Sequence, residues 1–141
     1  MKFFNATRIF MGIIYFTGAA TNFYLVLSNP QIYRDFAGFA IIPFYKTLWL
    51  QIVMKNPIVW IMLVVAFEIT AAVFILNKGN LVKIGLAGVV IFNLFLFPFW
   101  WFGWSFINLF LALIQFILIR QEYDSTVIEM LSAGLRKNKG R

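Results

Sequence analysis

Glu68 is the one ionisable residue set well inside an apolar run of this chain, ten residues after Ile58 and eight before Leu76. If that run is a helix across a bilayer, its rise of about 1.5 Å per residue puts the carboxyl near the midplane. An ionised carboxylate there costs several kcal/mol unless it is paired, hydrated or protonated, so an intramembrane acid marks a functional site by default. The plainer alternative is a protonated Glu68 hydrogen-bonded to a neighbouring helix. Other apolar runs bring polar groups to similar depths. Asn93 lies about 18 Å from the inner end of its run and Gln115 about 18 Å from the outer end of the next. Ser105, Asn108, Ala112 and Gln115 recur at helical spacing on one face, as do Gly12, Tyr15, Ala19 and Asn22. These stripes of small and polar residues predict inward-facing surfaces. The candidate site, ligand-binding or proton-linked, is therefore Glu68 with Tyr15, Asn22, Asn93, Asn108 and Gln115 in one polar core. Interhelical hydrogen bonds that only hold the helices together are the competing account of the amides.

Much chemistry is excluded. The chain has no Cys and no His, which removes thiolate nucleophiles, disulfides, iron–sulfur ligation, imidazole bases and the usual transition-metal sites. No metal site, no intrinsic cofactor and no catalytic residue is expected. An enzyme acting on lipid or quinone would use Glu68 as general acid beside Tyr15 or Asn93. No second carboxylate lies within a span to complete an acid–base pair, and that reading ranks last. The aromatic outer half, in a chain with 18 Phe, could hold a flat ring such as a quinone head, although most of these rings are expected to face lipid.

The elements that would position these residues follow from composition. Of 141 residues, 62% are hydrophobic and 12% charged, far from the globular average. The sequence predicts an all-α integral membrane four-helix bundle with short interfacial helices between the first and second spans. The spans fall at about 9–27, 58–76, 81–97 and 103–119, within a transmembrane domain covering 1–119. The first run could instead be a cleaved secretory signal, since Gly18 and Ala20 are suitably small. It continues through Leu27, long enough to span, and is read as a retained helix. Pro30, Pro43 and Pro57 interrupt the outer segment 28–57, predicting two short pieces at about 31–42 and 44–54. Phe36, Phe39 and Trp49 would face lipid or the bundle, with Arg34 and Lys46 at headgroups. Arg34 beside Asp35 reads as a solvated pair. Asn77, Lys78, Gly79 and Asn80 form a polar turn. Pro98 and Gly103 divide the uncharged run 84–119 at an aromatic cluster of Phe97, Phe99, Trp100, Trp101, Phe102 and Trp104, where an interface is expected. Gly85 and Gly88, like Gly12, predict close helix packing.

Segment 120–141 reads as a cytoplasmic basic tail. Thr126 and Glu129 form a capping box ahead of an apolar face of Val127, Met130, Leu131 and Leu135. Nine Lys and Arg fall on the side of the termini and three (Arg34, Lys46, Lys55) on the other, so both termini are expected in the cytoplasm of a multi-pass cell-membrane protein. The net charge of +7 is assigned to topology and to membrane lipids rather than to nucleic acid. RNA is a second reading of the tail alone.

Arg8, Gly12, Gly18 and Asn22 in the first run, Phe36 and Pro43 in the outer segment, and Glu68 within VAFEITAAVFIL together resemble the DoxX-like family of small four-helix membrane proteins. The resemblance covers roughly 6–119. Asn22 stands where relatives often carry Lys, and Thr70, Ala71 and Ala72 replace glycines expected beside the acid. The resemblance implies a four-helix fold and a bacterial inner-membrane or comparable location, without implying one activity. Members are linked to quinone-coupled sulfur oxidation or to membrane redox complexes. The function expected on these grounds is an accessory subunit or assembly partner of a membrane complex, quinone- or redox-linked, with a protein partner in the membrane or a homo-oligomer. The alternative is a small proton-coupled transporter or lipid- or quinone-binding protein that uses Glu68.

Overall fold

In the computed structural model, which describes residues 2–99 and 104–139, every element is helical apart from one isolated antiparallel bridge between Ala40 and Phe99. Chain order is α1 (Lys2–Ser28), α2 (Gln31–Phe36), a 3-10 turn (Ala37–Phe39), α3 (Pro43–Gln51), a second 3-10 turn (Val53–Lys55), α4 (Pro57–Ile75), α5 (Asn80–Leu96), α6 (Trp104–Ile119) and α7 (Val127–Lys139). Trp100, Trp101, Phe102 and Gly103 of the expected aromatic turn lie outside the described residues, as do Arg141 and the side chains of Trp104, Leu135, Arg136, Lys137 and Lys139.

Proline sets the helix starts. Pro43 and Pro57 occupy the first turns of α3 and α4, where the missing N–H would have had no partner, and Asn56 caps α4 by accepting from Val59 N. The expected outer piece at 31–42 is shorter than predicted. The α-helix ends at Phe36, tightens to a 3-10 turn and becomes extended at Ala40, because Ile41 N donates to Pro98 O at 2.9 Å instead of continuing a helix. Segment 31–55 thereby folds as a cap against the far end of α5. Its rings pack on Phe99, which is buried between Phe36, Tyr45 and Trp49 at centroid distances of 4.6, 5.9 and 5.2 Å.

Among the described residues two helices are long and apolar enough to cross a membrane, over Phe3–Ser28 and Pro57–Ile75. The shorter apolar helices are Asn80–Leu96 and Ser105–Ile119. α1 packs along α4, α4 against α5, and α5 against α6, while α6 reaches α1 through Gln115 and Tyr15. The glycines differ in role. A Cβ on Gly85 would stand 2.8 Å from Phe74 Cβ and 3.1 Å from Ala71 O, so α4 and α5 touch through bare backbone there. At Gly88 a Cβ would meet only the Phe67 ring, at ordinary contact distance. Gly88 instead floors an apolar groove of about 350 Å³ between α4 and α5, bordered by Trp60, Phe67, Phe92 and Phe95.

The core lies toward the end of the molecule that carries α7. It is built from Met11, Tyr15, Ala71, Ala72, Ile75, Val82, Leu86, Val89, Leu118 and Tyr123. Cleavage after Ala20 would strip Arg8, Met11, Tyr15 and Ala19 from this interior, where all four are buried. Segment 120–130 docks here rather than trailing free. Gly79, at φ 60°, turns its N–H to Tyr123 O at 2.8 Å, and Val127 N donates to Leu76 O at 3.1 Å. The capping box forms, with Thr126 N donating to Glu129 Oε2 and Glu129 N to Thr126 Oγ1. Lys78–Glu129 and Lys83–Glu122 ion pairs of 2.8 and 2.7 Å add a peripheral tie.

Candidate functional site

The six predicted site residues do not form one core. They divide into two groups, with one residue outside both. In the first group Glu68, only 5% exposed, accepts at Oε2 from Asn22 Nδ2 at 2.9 Å. Its other oxygen lies against α1 at Gly18, where a Cβ would stand 2.8 Å from Oε1. Gly18 and Asn22, one helical turn apart, thus make a seat for the carboxyl: one supplies space and the other a donor. Asn22 is itself held by the cap, since Tyr33 OH donates to Asn22 Oδ1 at 2.8 Å and Trp49 Nε1 donates to Tyr33 O at 2.6 Å. Burial, and after it the neighbouring Glu68 carboxylate, pushes the Tyr33 phenol up to about 12.

The second group is neutral. Asn93 Nδ2 donates to Tyr15 OH at 2.8 Å and to Gln115 Oε1 at 3.0 Å. Gln115 Nε2 donates to the same hydroxyl at 2.7 Å and lies 3.8 Å from Met11 sulfur. All three residues are buried, and each is hydrogen-bonded to the other two, since buried polar groups require partners. This triad joins α1, α5 and α6. The helical spacing that predicted an inward stripe on α6 is right for Ser105, Ala112 and Gln115, which are buried, whereas Asn108 is half-buried and takes part in neither group. The split arises from helix rotation. Glu68 faces α1 at Gly18 and Asn22, while Tyr15, a turn earlier on α1, points at α5 and α6.

The sequence reading missed three residues. Tyr33 and Trp49 lie outside the apolar spans, and no spacing rule connects them to Asn22. Arg8 had a signal: it continues the 4-3-4-3 stripe of Gly12, Tyr15, Ala19 and Asn22 one turn earlier, yet it was counted as a flanking charge. Arg8 is fully buried. Its Nη1 donates to Asn77 O at 2.8 Å, its Nη2 to Ser125 O at 3.1 Å and toward Met130 sulfur at 3.6 Å, and its guanidinium lies 4.5 Å from the Tyr123 ring centroid. Asn77 O lies just past the end of α4, where the helix presents its negative pole to the cation. Burial pushes the Tyr123 phenol above its ordinary value and the Arg8 charge opposes that shift.

Among the described residues no cluster of His, Cys, Asp or Glu could hold a metal ion. What the arrangement can do is hold one carboxyl, in either protonation state, next to an amide that the cap positions. Comparison with protein-family models, with curated proteins and with solved structures finds no match to this chain.

Proposed function

We propose that this chain is a multi-pass membrane protein, with α1, α4, α5 and α6 as a four-helix membrane bundle of DoxX-like type, serving as an accessory subunit or assembly partner of a membrane complex. The observation that carries the membrane part is the distribution of side chains. Phe106, Phe110, Leu113 and Ile117 form an exposed apolar stripe on α6, and Phe10, Ile13, Phe16 and Phe23 do the same on α1. Glu68, Asn93, Ser105 and Gln115 are turned inward. A surface this apolar suits lipid rather than water, and interiors stitched by amides and small residues suit helices that pack in lipid. Helices of 17 and 16 residues, α5 and α6, measure about 25 Å, so their ends or a locally thinned bilayer must supply the remaining few ångströms. The Lys and Arg bias supports cytoplasmic termini, and the place of Arg8, Met11 and Tyr15 in the core supports a retained first helix.

The accessory role rests on the absence of Cys and His from the sequence and on triad amides already used within the chain, so redox chemistry would come from a partner. A quinone or lipid tail would find its best seat in the groove over Gly88, between Trp60, Phe67, Phe92 and Phe95. Alkaline carbonate should leave the protein in the membrane pellet, and its release would end the membrane reading. Native mass spectrometry of the protein drawn gently from its own membrane should show a stoichiometric protein partner. A chain alone, or one carrying only a small molecule, would move the assignment to ligand binding. A second reading, proton-coupled transport, is favoured by the buried Glu68 carboxyl. It fails if Glu68→Gln leaves substrate-driven proton flux in proteoliposomes unchanged.

A further inference from the structure

We infer that the Glu68 carboxyl is a proton-exchange site that opens only toward the cap end of the molecule. The inference rests on the membrane reading above and adds a direction to it. Toward the cap, each step from Glu68 is polar and incompletely buried. Asn22 and Tyr33 are both half-buried, and Arg34, which follows Tyr33 in α2, lines a cavity of about 270 Å³ with Ser28, Asn29, Gln31 and Met54. A carboxamide does not readily pass a proton along, so the Tyr33–Asn22 chain positions the carboxyl rather than conducting to it. The proton moves to and from water that enters from this cavity when Tyr33 leaves Asn22.

Toward α7 the surroundings are fully buried: the polar groups of Tyr15, Asn93 and Gln115 bond to one another there, and apolar side chains fill the rest. One turn beyond Glu68 are Ala71 and Ala72, then Ile75, packed with Val82, Leu86, Val89 and Leu118, none more than 4% exposed. Beyond them the Arg8 guanidinium fills the space between the end of α4 and segment 120–139. Apolar packing at crystal-like density holds no file of water. The titratable groups near Glu68 are Tyr15 from α1 and Tyr33 from α2. α5 and α6 contribute the amides of Asn93 and Gln115, both bonded to Tyr15, and the half-buried amide of Asn108. No lysine or arginine stands beside the carboxyl among these contacts, so taking up a proton is what neutralises its charge.

The test uses the full chain in sealed vesicles with the pH clamped separately on the two sides. Dicyclohexylcarbodiimide, which enters through lipid and adds to protonated carboxyls, is applied and then quenched. External carboxypeptidase B, which removes basic residues from a C-terminus and leaves the cap's Arg34, Lys46 and Lys55 uncut, next trims the chains whose α7 end faces outward, so intact mass reports adduct on the two orientations separately. Raising the external pH should reduce the adduct on untrimmed, cap-out chains by about tenfold per pH unit once the carboxyl is mostly ionised. Trimmed chains should keep theirs, and Glu68→Gln should abolish the adduct in both. Adduct on trimmed chains that follows external pH would overturn the proposal, as would adduct indifferent to pH on both sides or retained in Glu68→Gln. Release of the chain by carbonate would overturn the membrane reading instead, before any vesicle is made.

Discussion

Among the described residues one basic side chain and one carboxylic acid are buried, and they are housed in opposite ways. Arg8, at the α7 end, is surrounded by acceptors that belong to the backbone, Asn77 O and Ser125 O, and is covered by Tyr123 and Met130. Its guanidinium is always charged, so the surroundings must be permanently polar, and fixed carbonyls provide that. Glu68, nearer the cap, has one amide donor and a gap at Gly18. Its seat is made from side chains, one of which is held by a tyrosine hydroxyl on a six-residue helix. The neutral triad of Tyr15, Asn93 and Gln115 stands between these cases, buried and internally satisfied. The difference suggests that Arg8 ties elements together and Glu68 responds to its surroundings.

The largest expected effect is at Arg8. Arg8→Ala leaves two carbonyls without charged donors and should cost about 3 kcal/mol or more. It should also free segment 120–139, seen as faster tryptic cleavage at Arg120. Arg8→Lys should not restore resistance, because one ammonium lacks the fork that reaches both carbonyls. A mild Arg8→Ala phenotype would break the comparison. Next in size is Tyr15→Phe, which removes the acceptor shared by two buried amides and should lower stability in detergent by about 2 kcal/mol. Gly18→Ala crowds Oε1 and should cost about 1 to 2 kcal/mol. Glu68→Gln keeps an acceptor for Asn22 and should change stability by under about 1 kcal/mol while losing carbodiimide reactivity. If Glu68→Gln proves as damaging as Arg8→Ala, Glu68 is an anchor too.

The smallest effect is set by pH. The Lys78 ammonium, first among several donors, holds the Glu129 carboxyl below its ordinary value. A depressed carboxylate stabilises α7 docking above the unfolded value and loses that contribution as pH falls through the folded one. Amide exchange in α7 should therefore accelerate slightly on acidification below about pH 4.5, and Lys78→Met should weaken the dependence, leaving the part due to Thr126. Tyr33 has the opposite sign: raised to about 12, it favours the folded state up to about pH 10 and ceases to as pH climbs beyond 12. At about pH 11, Tyr33→Phe should leave the tyrosinate absorbance almost unchanged.

The helices were legible in the sequence because apolar runs, prolines and the Thr126–Glu129 box act locally. Helix faces were legible too: Tyr15, Ala19 and Gln115 are buried as their spacing requires. Which face meets which partner was not legible. Spacing places Tyr15 and Asn22 on one stripe, yet the turn between them separates a residue facing Asn93 from one facing Glu68. The cap's grip on Asn22 through Tyr33 depends on the bend at Ala40, which a long-range bond from Ile41 to Pro98 creates. Arg8 was misjudged because a basic residue near the start of a span ordinarily flanks it, and its acceptors are carbonyls, which every residue has.

Arg8 also imposes an order on synthesis. Its acceptors lie at residues 77, 125 and 130, so the first helix leaves the ribosome carrying a cation whose last ligands are translated more than a hundred residues later. A nascent chain halted before Ser125 presents an under-satisfied guanidinium. The Arg8 end of α1 thus stays unfinished until Ser125 and Met130 arrive.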